Sequence, residues 1–358
     1  MIRALLKFLL RATVLALLLL GGLVVLSYLN NRGPLDYPVS DHFNGRRFIN
    51  PTLVEQISPG LSDIIGMVRE GRPDWPSRVE NTGLPQLGAD IGQDGMAVTY
   101  VNHVTFLIQL PGITILTDPV WAERASPVSW FGPRRVRDPG IAFEALPPVD
   151  VVLISHNHYD HLDIATLERL NSRFSPVFLV PLGNRALLES IGITNVLEMD
   201  WWDEFGAPSA TRIVFTPSQH SSGRGLFDRD RSLWGSFFFR QGNRSAFFGG
   251  DGGYSTQFVD IRERLGAPDV ALLGIGSYEP RWFMQPLHKN PAEAVRAHLD
   301  LGAALSIGMH MGTFQLAGET FEQPYSELTD AIAREGIDPN SFITLPEGGT
   351  LLVPTQSQ

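Results

Sequence analysis

Residues 155–163 read SHNHYDHLD, a stretch that gathers three of the chain's nine histidines and two aspartates into one short loop. His156 and His158 are two apart, so at a strand end or in its extended continuation both project to the same side. Asp160 and His161 follow where the chain can reverse and aim at a second point nearby. One loop can thus supply two ligands to each of two metal ions. Two divalent ions a few ångströms apart need about six protein donors, more than this loop holds.

The chain enters the loop through the apolar run VDVVLIS, which reads as a strand. Further upstream, AVTYV and VTFLIQL are β-rich, and Pro111-Gly112 turns the second into ITILTD, so an antiparallel meander begins near Met96. A Pro- and Arg-rich loop, SPVSWFGPRRVRDPG, separates the meander from the histidines. Downstream, IATLERLN and NRALLESIG have helical spacing on either side of the buried-strand run PVFLVP. RIVFTPSQH, WGSFFFRQG, SAFFGGD, DVALLGIG and ALSIGMH read as strands, and Pro291 opens a helix in PAEAVRAHLDLG. Strands, then mixed strands and helices, then a second such series predict an α/β fold with two β-sheets sandwiched between helices. The missing donors stand where apolar strands end: His220 in FTPSQHSS, Asp251 in FFGGDGGY and His310 in SIGMHMGTF. Glycines beside Asp251 and His310 let backbone approach such a centre closely.

Composition narrows the chemistry. The 358 residues contain no cysteine, so histidine and carboxylate are the remaining metal donors and disulfides are excluded. A net charge of -10 argues against a nucleic-acid partner, because phosphate affinity comes mostly from clustered Lys and Arg. The first residues differ from the rest: Arg3, Lys7 and Arg11 lead into ATVLALLLLGGLVVLSYL, an uncharged run about long enough to cross a bilayer. Three parts are therefore expected: residues 1–31 as a transmembrane anchor or signal sequence, 32–93 as linker and N-terminal extension, and 94–358 as the catalytic domain. The basic flank places a single-pass anchor's N-terminus in the cytoplasm and the catalytic domain on the outer, periplasmic side. Secretion after signal cleavage is the alternative.

HNHYDH has the H-x-H-x-D-H form of the metallo-β-lactamase fold, and the order His220, Asp251, His310 matches that fold's remaining ligands. LISHNHYDHLD, TDPVWAERASPVSWFGPRRVR, LWGSFFFR, GGDGGY, YEPRWFM and HMGTF together resemble the N-acyl-phosphatidylethanolamine-hydrolysing phospholipase D family, over roughly residues 50–354. The resemblance implies an αββα sandwich with the site at the strand ends. It assigns His156, His158 and His220 to one zinc ion and Asp160, His161 and His310 to another, with Asp251 bridging; other divalent metals are admissible. Asp118, at the end of ITILTD, and His103, in YVNHVTF, match residues that steady the ligands, although Asn102 replaces a family glycine. Asp160 and His288 are the expected catalytic residues, His288 as a general acid beside phosphate or leaving group.

The activity implied is a zinc-dependent phosphodiesterase of phospholipase D type, in which hydroxide held by the metals attacks phosphorus. A lactonase or other carboxyl-ester hydrolase is the alternative within the fold, and a membrane-tethered metal- or lipid-binding protein without turnover is the alternative outside enzymology. A phospholipid substrate and a membrane are the expected partners, with a homodimer allowed. His42 and His298 read as ordinary structural histidines. The segments WFG, WFM and SFFF read as mostly core, and Arg134-Arg135 as facing phosphate, an anionic membrane or solvent.

Overall fold

The computed structural model describes residues 35–57 and 60–353, with residues 11, 13, 14, 21, 22, 27 and 33 before them. The apolar run 12–29 therefore lies mostly outside the described residues. Among the described residues no helix is long and apolar enough to cross a membrane. Among the described residues the longest helix, Gln323–Glu335, has 13 residues, where about 20 are needed to span a bilayer. The expected single-pass anchor, and the periplasmic placement that depended on it, are corrected accordingly.

Among the described residues, fourteen strands form two sheets of seven. The first contains β1 (Met96–Asn102), β2 (Thr105–Leu110), β3 (Ile113–Thr117), β4 (Val151–Leu153), β5 (Val177–Pro181) and β6 (Val196–Met199). The second contains β7 (Glu204–Ala207), β8 (Thr211–Thr216), β9 (Ser236–Gln241), β10 (Arg244–Phe248), β11 (Val270–Gly274), β12 (Leu305–Met309) and β13 (Phe342–Ile343). The last strand, β14 (Thr350–Val353), returns to pair with β1 at the edge of the first sheet. Each sheet has an antiparallel half and a parallel half: β1 to β3 form the meander and β3 to β6 run parallel, while β7 to β10 are antiparallel and β10 to β13 parallel.

Alternation along the strands sorts the apolar residues into three layers. Phe106, Ile108, Ile115, Ile213, Phe215, Phe237 and Phe239 face one another between the sheets. The opposite face of the first sheet packs Leu107, Leu116, Val152 and Phe178 against Leu167, Leu170 and Leu188 of helices Ile164–Phe174 and Arg185–Ser190. The outer face of the second sheet packs Phe238, Phe247 and Leu273 against helices Gln257–Leu265, Pro291–Leu301 and Gln323–Glu335. The result is helix, sheet, sheet, helix. Pro291 opens its helix behind Asn290, whose side chain accepts from Glu293 N in a capping box.

Of the aromatic segments read as core, SFFF holds: Phe237, Phe238 and Phe239 are buried in β9. Trp130 and Phe131 differ, 77% and 69% exposed. They sit in the loop between β3 and β4, where no ladder alternation turns them inward.

Residues 35–56 cross over to the sandwich and add to its core. Phe43 and Phe48, each 1% exposed, join the inter-sheet layer, worth about 1.5–3 kcal/mol apiece in burial. His42 pins this segment: Nδ1 lies 2.6 Å from Asp41 Oδ1, Nε2 lies 2.7 Å from Asp200 Oδ1, and the ring stacks on Trp201. Burial opposes the imidazolium, yet the two carboxylates outweigh it and raise the His42 pKa above its usual value. A raised folded pKa contributes stability that is complete below the unfolded value of about 6.5 and is lost as pH rises through the folded one. Thermal unfolding followed from pH 6 to pH 9 should therefore show a loss in the wild-type protein that His42→Gln lacks; equal slopes for both would remove His42 as the cause.

Candidate metal centre

Strand ends of both sheets meet at one point. Past β3 comes Asp118, past β4 the loop of residues 155–163, past β8 His220, past β10 Asp251 and past β12 His310. His103, Asp118 and His310 hold positive φ of 46°, 29° and 64°, a conformation that costs a non-glycine residue about 1–3 kcal/mol. Each is held there by a backbone bond: His310 N donates to His103 O at 2.7 Å, Asp118 N to Leu153 O at 2.8 Å, and His103 N to Thr313 Oγ1 at 3.0 Å.

The structure brings all seven expected ligands together, buried or nearly so, in two groups. His156 Nε2 faces His158 Nδ1 at 2.8 Å, and His220 Nε2 faces the same atom at 3.4 Å. Asp160, His161 and His310, joined by His103, form the second group, and in each group the candidate ligand atoms lie within 4.8 Å of one another. Asp251 Oδ2 stands between them, 3.1 Å from both His161 Nε2 and His310 Nε2, 3.7 Å from His220 Nε2 and 3.9 Å from His156 Nε2. His288 Nδ1 lies 3.8 Å from the same oxygen.

Neighbouring hydrogen bonds fix which ring nitrogen is free. His220 Nδ1 donates to Leu287 O at 3.0 Å, and His161 Nδ1 donates to Asp118 Oδ2 at 2.6 Å, so both rings turn Nε2 toward the centre. Asp118 also accepts from Ser155 N at 2.7 Å and from Ser155 Oγ at 2.5 Å, which fastens the strand end that starts the loop. His103 Nε2 lies 2.9 Å from Asp160 Oδ2 and, as the neutral ring, donates to it.

The electrostatics suit cation binding. Burial pushes His156 and His220 well below their usual value, His158 to about 4 and His103 to about 4, which leaves the neutral imidazoles that metals accept. Burial also works against the Asp160 and Asp251 carboxylates, but the histidines around them, His161 foremost, hold both well below the carboxylate range. The same two anions overcome burial at His161, raised well above its usual value, and at His310, raised to about 9. His161 Nε2 and His310 Nε2 are nevertheless buried without a hydrogen-bond partner. Two orphaned nitrogens and two buried carboxylate oxygens aimed at one space fit a divalent ion held by N and O donors.

Several contacts around this centre carry no local signature in the sequence. Asn50 hydrogen-bonds the backbone of His220. Arg224 stacks on Tyr159, 4.0 Å from its ring centroid, and donates to Asn157 O and Leu162 O, closing the ligand loop from behind. Lys289, 3% exposed and pushed down to about 8 by burial, donates to Gly252 O beside Asp251. Of the arginine pair, Arg134 is exposed and pairs with Glu123, whereas Arg135 is buried and donates to Val120 O and Ala122 O. His298 is a core residue bonded to Ser306 Oγ. A cleft of about 840 Å³ runs behind the ligand loop, lined by Arg124, Asn157, Tyr159, Leu162 and Arg224 among others; none of the seven ligands lines it.

The layered sandwich and its paired histidine-carboxylate groups define a class, the metal-dependent hydrolases of the metallo-β-lactamase fold, and the model of the Beta-lactamase superfamily domain matches residues 114–311, more than half of the chain. The chain is 37% identical over 327 residues to N-acyl-phosphatidylethanolamine-hydrolyzing phospholipase D 1 of Caenorhabditis elegans, covering 85% of this chain and 92% of that one. It is 40% identical over 223 residues to the mitochondrial N-acyl-phosphatidylethanolamine-hydrolyzing phospholipase D of Saccharomyces cerevisiae, covering 61% of this chain and 47% of that one. A metallo hydrolase of Ignicoccus hospitalis shares the fold, with a TM-score of 0.55 at 21% identity over 73% of this chain and 100% of that one. The chain belongs to the beta-lactamase superfamily and, within it, to the family of the nematode phospholipase D.

Asp118 accepts from Ser155, at the head of the ligand loop, and from His161, a candidate ligand. Asp118→Asn places an N–H donor against the donors of Ser155 and His161, and should weaken metal affinity about 10- to 100-fold in titration of the metal-free protein. Wild-type affinity would show that Asp118 does not orient His161.

Proposed function

We propose that the protein is a two-zinc phosphodiesterase of phospholipase D type, acting on N-acyl-phosphatidylethanolamine-like phospholipids. The observation that carries this reading is the single Asp251 oxygen within 3.9 Å of a ring nitrogen from each of His156, His161, His220 and His310, a geometry suited to a carboxylate shared by two ions. His156, His158 and His220 would hold one zinc ion and Asp160, His161 and His310 the other. When bound, the ions would lower the pKa of water at the centre and offset negative charge building on the phosphate. That charge balance lets a chain of net charge -10 work on an anionic diester. The substrate class follows the names of the nematode and yeast relatives.

The chain's own groups supply the rest. His161 and His220 keep their tautomers through Asp118 and Leu287, and Asp160 is steadied by His103. Cleavage on the phospholipase D side breaks the bond between phosphorus and the oxygen of the N-acylethanolamine, and that oxygen must gain a proton. His288, beside the centre, is the group we assign to that proton. Burial pushes its pKa down to about 3, so at neutral pH the free ring is neutral. In that form it can receive the proton released as water adds to phosphorus and pass it to the departing oxygen.

Two experiments test this reading. His288→Ala should keep both metal ions and lose about 10²–10⁴-fold in kcat, as removal of a proton-transfer group does; loss of metal instead would make His288 a ligand. Product analysis by mass spectrometry, with the zinc-loaded protein and mixed micelles of N-acylated phosphatidylethanolamine, should show N-acylethanolamine and phosphatidic acid, both absent with His310→Ala. Opening of lactones without lipid cleavage would overturn the substrate and leave the metal centre standing.

A further inference from the structure

His220 lies beyond the end of β8 at Thr216, where no strand neighbour satisfies its backbone. The side chain of Asn50 does so instead. Asn50 Oδ1 accepts from His220 N at 3.0 Å and Asn50 Nδ2 donates to His220 O at 2.8 Å. A primary amide is planar, with an acceptor and a donor side by side, and it matches the two polar groups of one residue as a ladder partner would. Asn50 is 4% exposed, so these bonds form away from water.

Asn50 is itself held from behind. Its backbone N donates to Gln56 Oε1 at 2.7 Å and its O accepts from Gln56 Nε2 at 2.9 Å, the same two-way arrangement repeated. Thr52 Oγ1 donates to Gln219 Oε1 at 2.7 Å, and Gln219 Nε2 donates on to Pro286 O at 2.8 Å. A backbone bond ties the segment to its surroundings, Phe48 N to Asp230 O at 2.8 Å, and another, Ile49 N to His42 O at 2.9 Å, folds the segment on itself beside the His42–Asp200 contact. With its ring fixed by Leu287 and its backbone by Asn50, His220 keeps Nε2 directed at His158 and Asp251.

We propose that Asn50 is a positioning residue for His220, so that the segment ahead of the first sheet forms part of the metal centre. This rests on the two-metal reading above. A ligand already ordered before the ion arrives spares binding the cost of ordering it.

The test is chelator competition on the zinc-loaded full chain, alongside thermal unfolding of the metal-free chain. Asn50→Leu keeps the volume and removes both bonds. It should weaken one of the two ions about 10- to 100-fold and leave the other near wild type. Both ions held at wild-type affinity, with only a lower unfolding temperature, would reduce Asn50 to a structural residue and overturn the proposal. Should Asn50→Leu not fold, Asn50→Ser, too short to reach both groups, is read in the same way. His220→Ala separates the two ideas: if it keeps both ions, the assignment of His220 as a ligand fails and the role of Asn50 with it, and if it loses one while the Asn50 variants lose none, only the role of Asn50 fails.

Discussion

Asp251 carries an oxygen into the space between four histidine rings, and a buried carboxylate survives there only with positive charge in contact. Much of the surrounding backbone is shaped to deliver it. Gly250 takes a φ of +52°, and a side chain there would meet Ser155 Cβ at 2.6 Å. Ser218 Oγ donates to Asp251 O at 2.6 Å, Lys289 Nζ to Gly252 O at 2.6 Å, and Gly253 N to Gln219 O at 2.9 Å. Three successive residues of the turn are gripped, so the carboxylate has little freedom.

The sandwich explains why so many polar groups can reach that oxygen without weakening the core. Asp118, His156, His220, Asp251 and His310 stand one to four residues past the last residue of their strands, and His158, Asp160 and His161 follow farther along the loop after β4, where the ladder has ended and side-chain hydrogen bonds take over. Parallel pairing of β3 with β4 aligns Asp118 with the start of the histidine loop, and parallel pairing of β10, β11 and β12 does the same for Asp251 and His310. The strained φ values of His103, Asp118 and His310 fall at these junctions, held by bonds between loops of different strands.

Much of this was legible in the sequence because both signals are local. Apolar runs of five to seven residues announced most of the strands, and a histidine or aspartate past the end of five of them announced the candidate donors. Three short strands outside long apolar runs did not stand out: Val196–Met199, Glu204–Ala207 and Phe342–Ile343 appear only through their partners. Asn50 and Lys289 were invisible for another reason. Their partners lie 170 and 37 residues away, and an asparagine in a Pro- and Gly-rich stretch reads as a turn. The exposed Trp130 and Phe131 show the limit of composition, since aromatic character carries no burial without a periodic element behind it.

The two halves of the centre differ in how they can hold a cation. Asp160 gives one half a charge of its own, drawn toward His161 and His310, and Coulomb attraction in a buried site tolerates some imprecision. His156, His158 and His220 are neutral rings, so their hold depends on three lone pairs converging. That half is held by contacts of its own: Ser155 Oγ lies 3.0 Å from His156 Nδ1, Leu287 takes the proton of His220, and Asn50 takes both polar groups of its backbone. Where charge is absent, geometry must replace it, and the chain recruits residues from ahead of the first sheet to provide it.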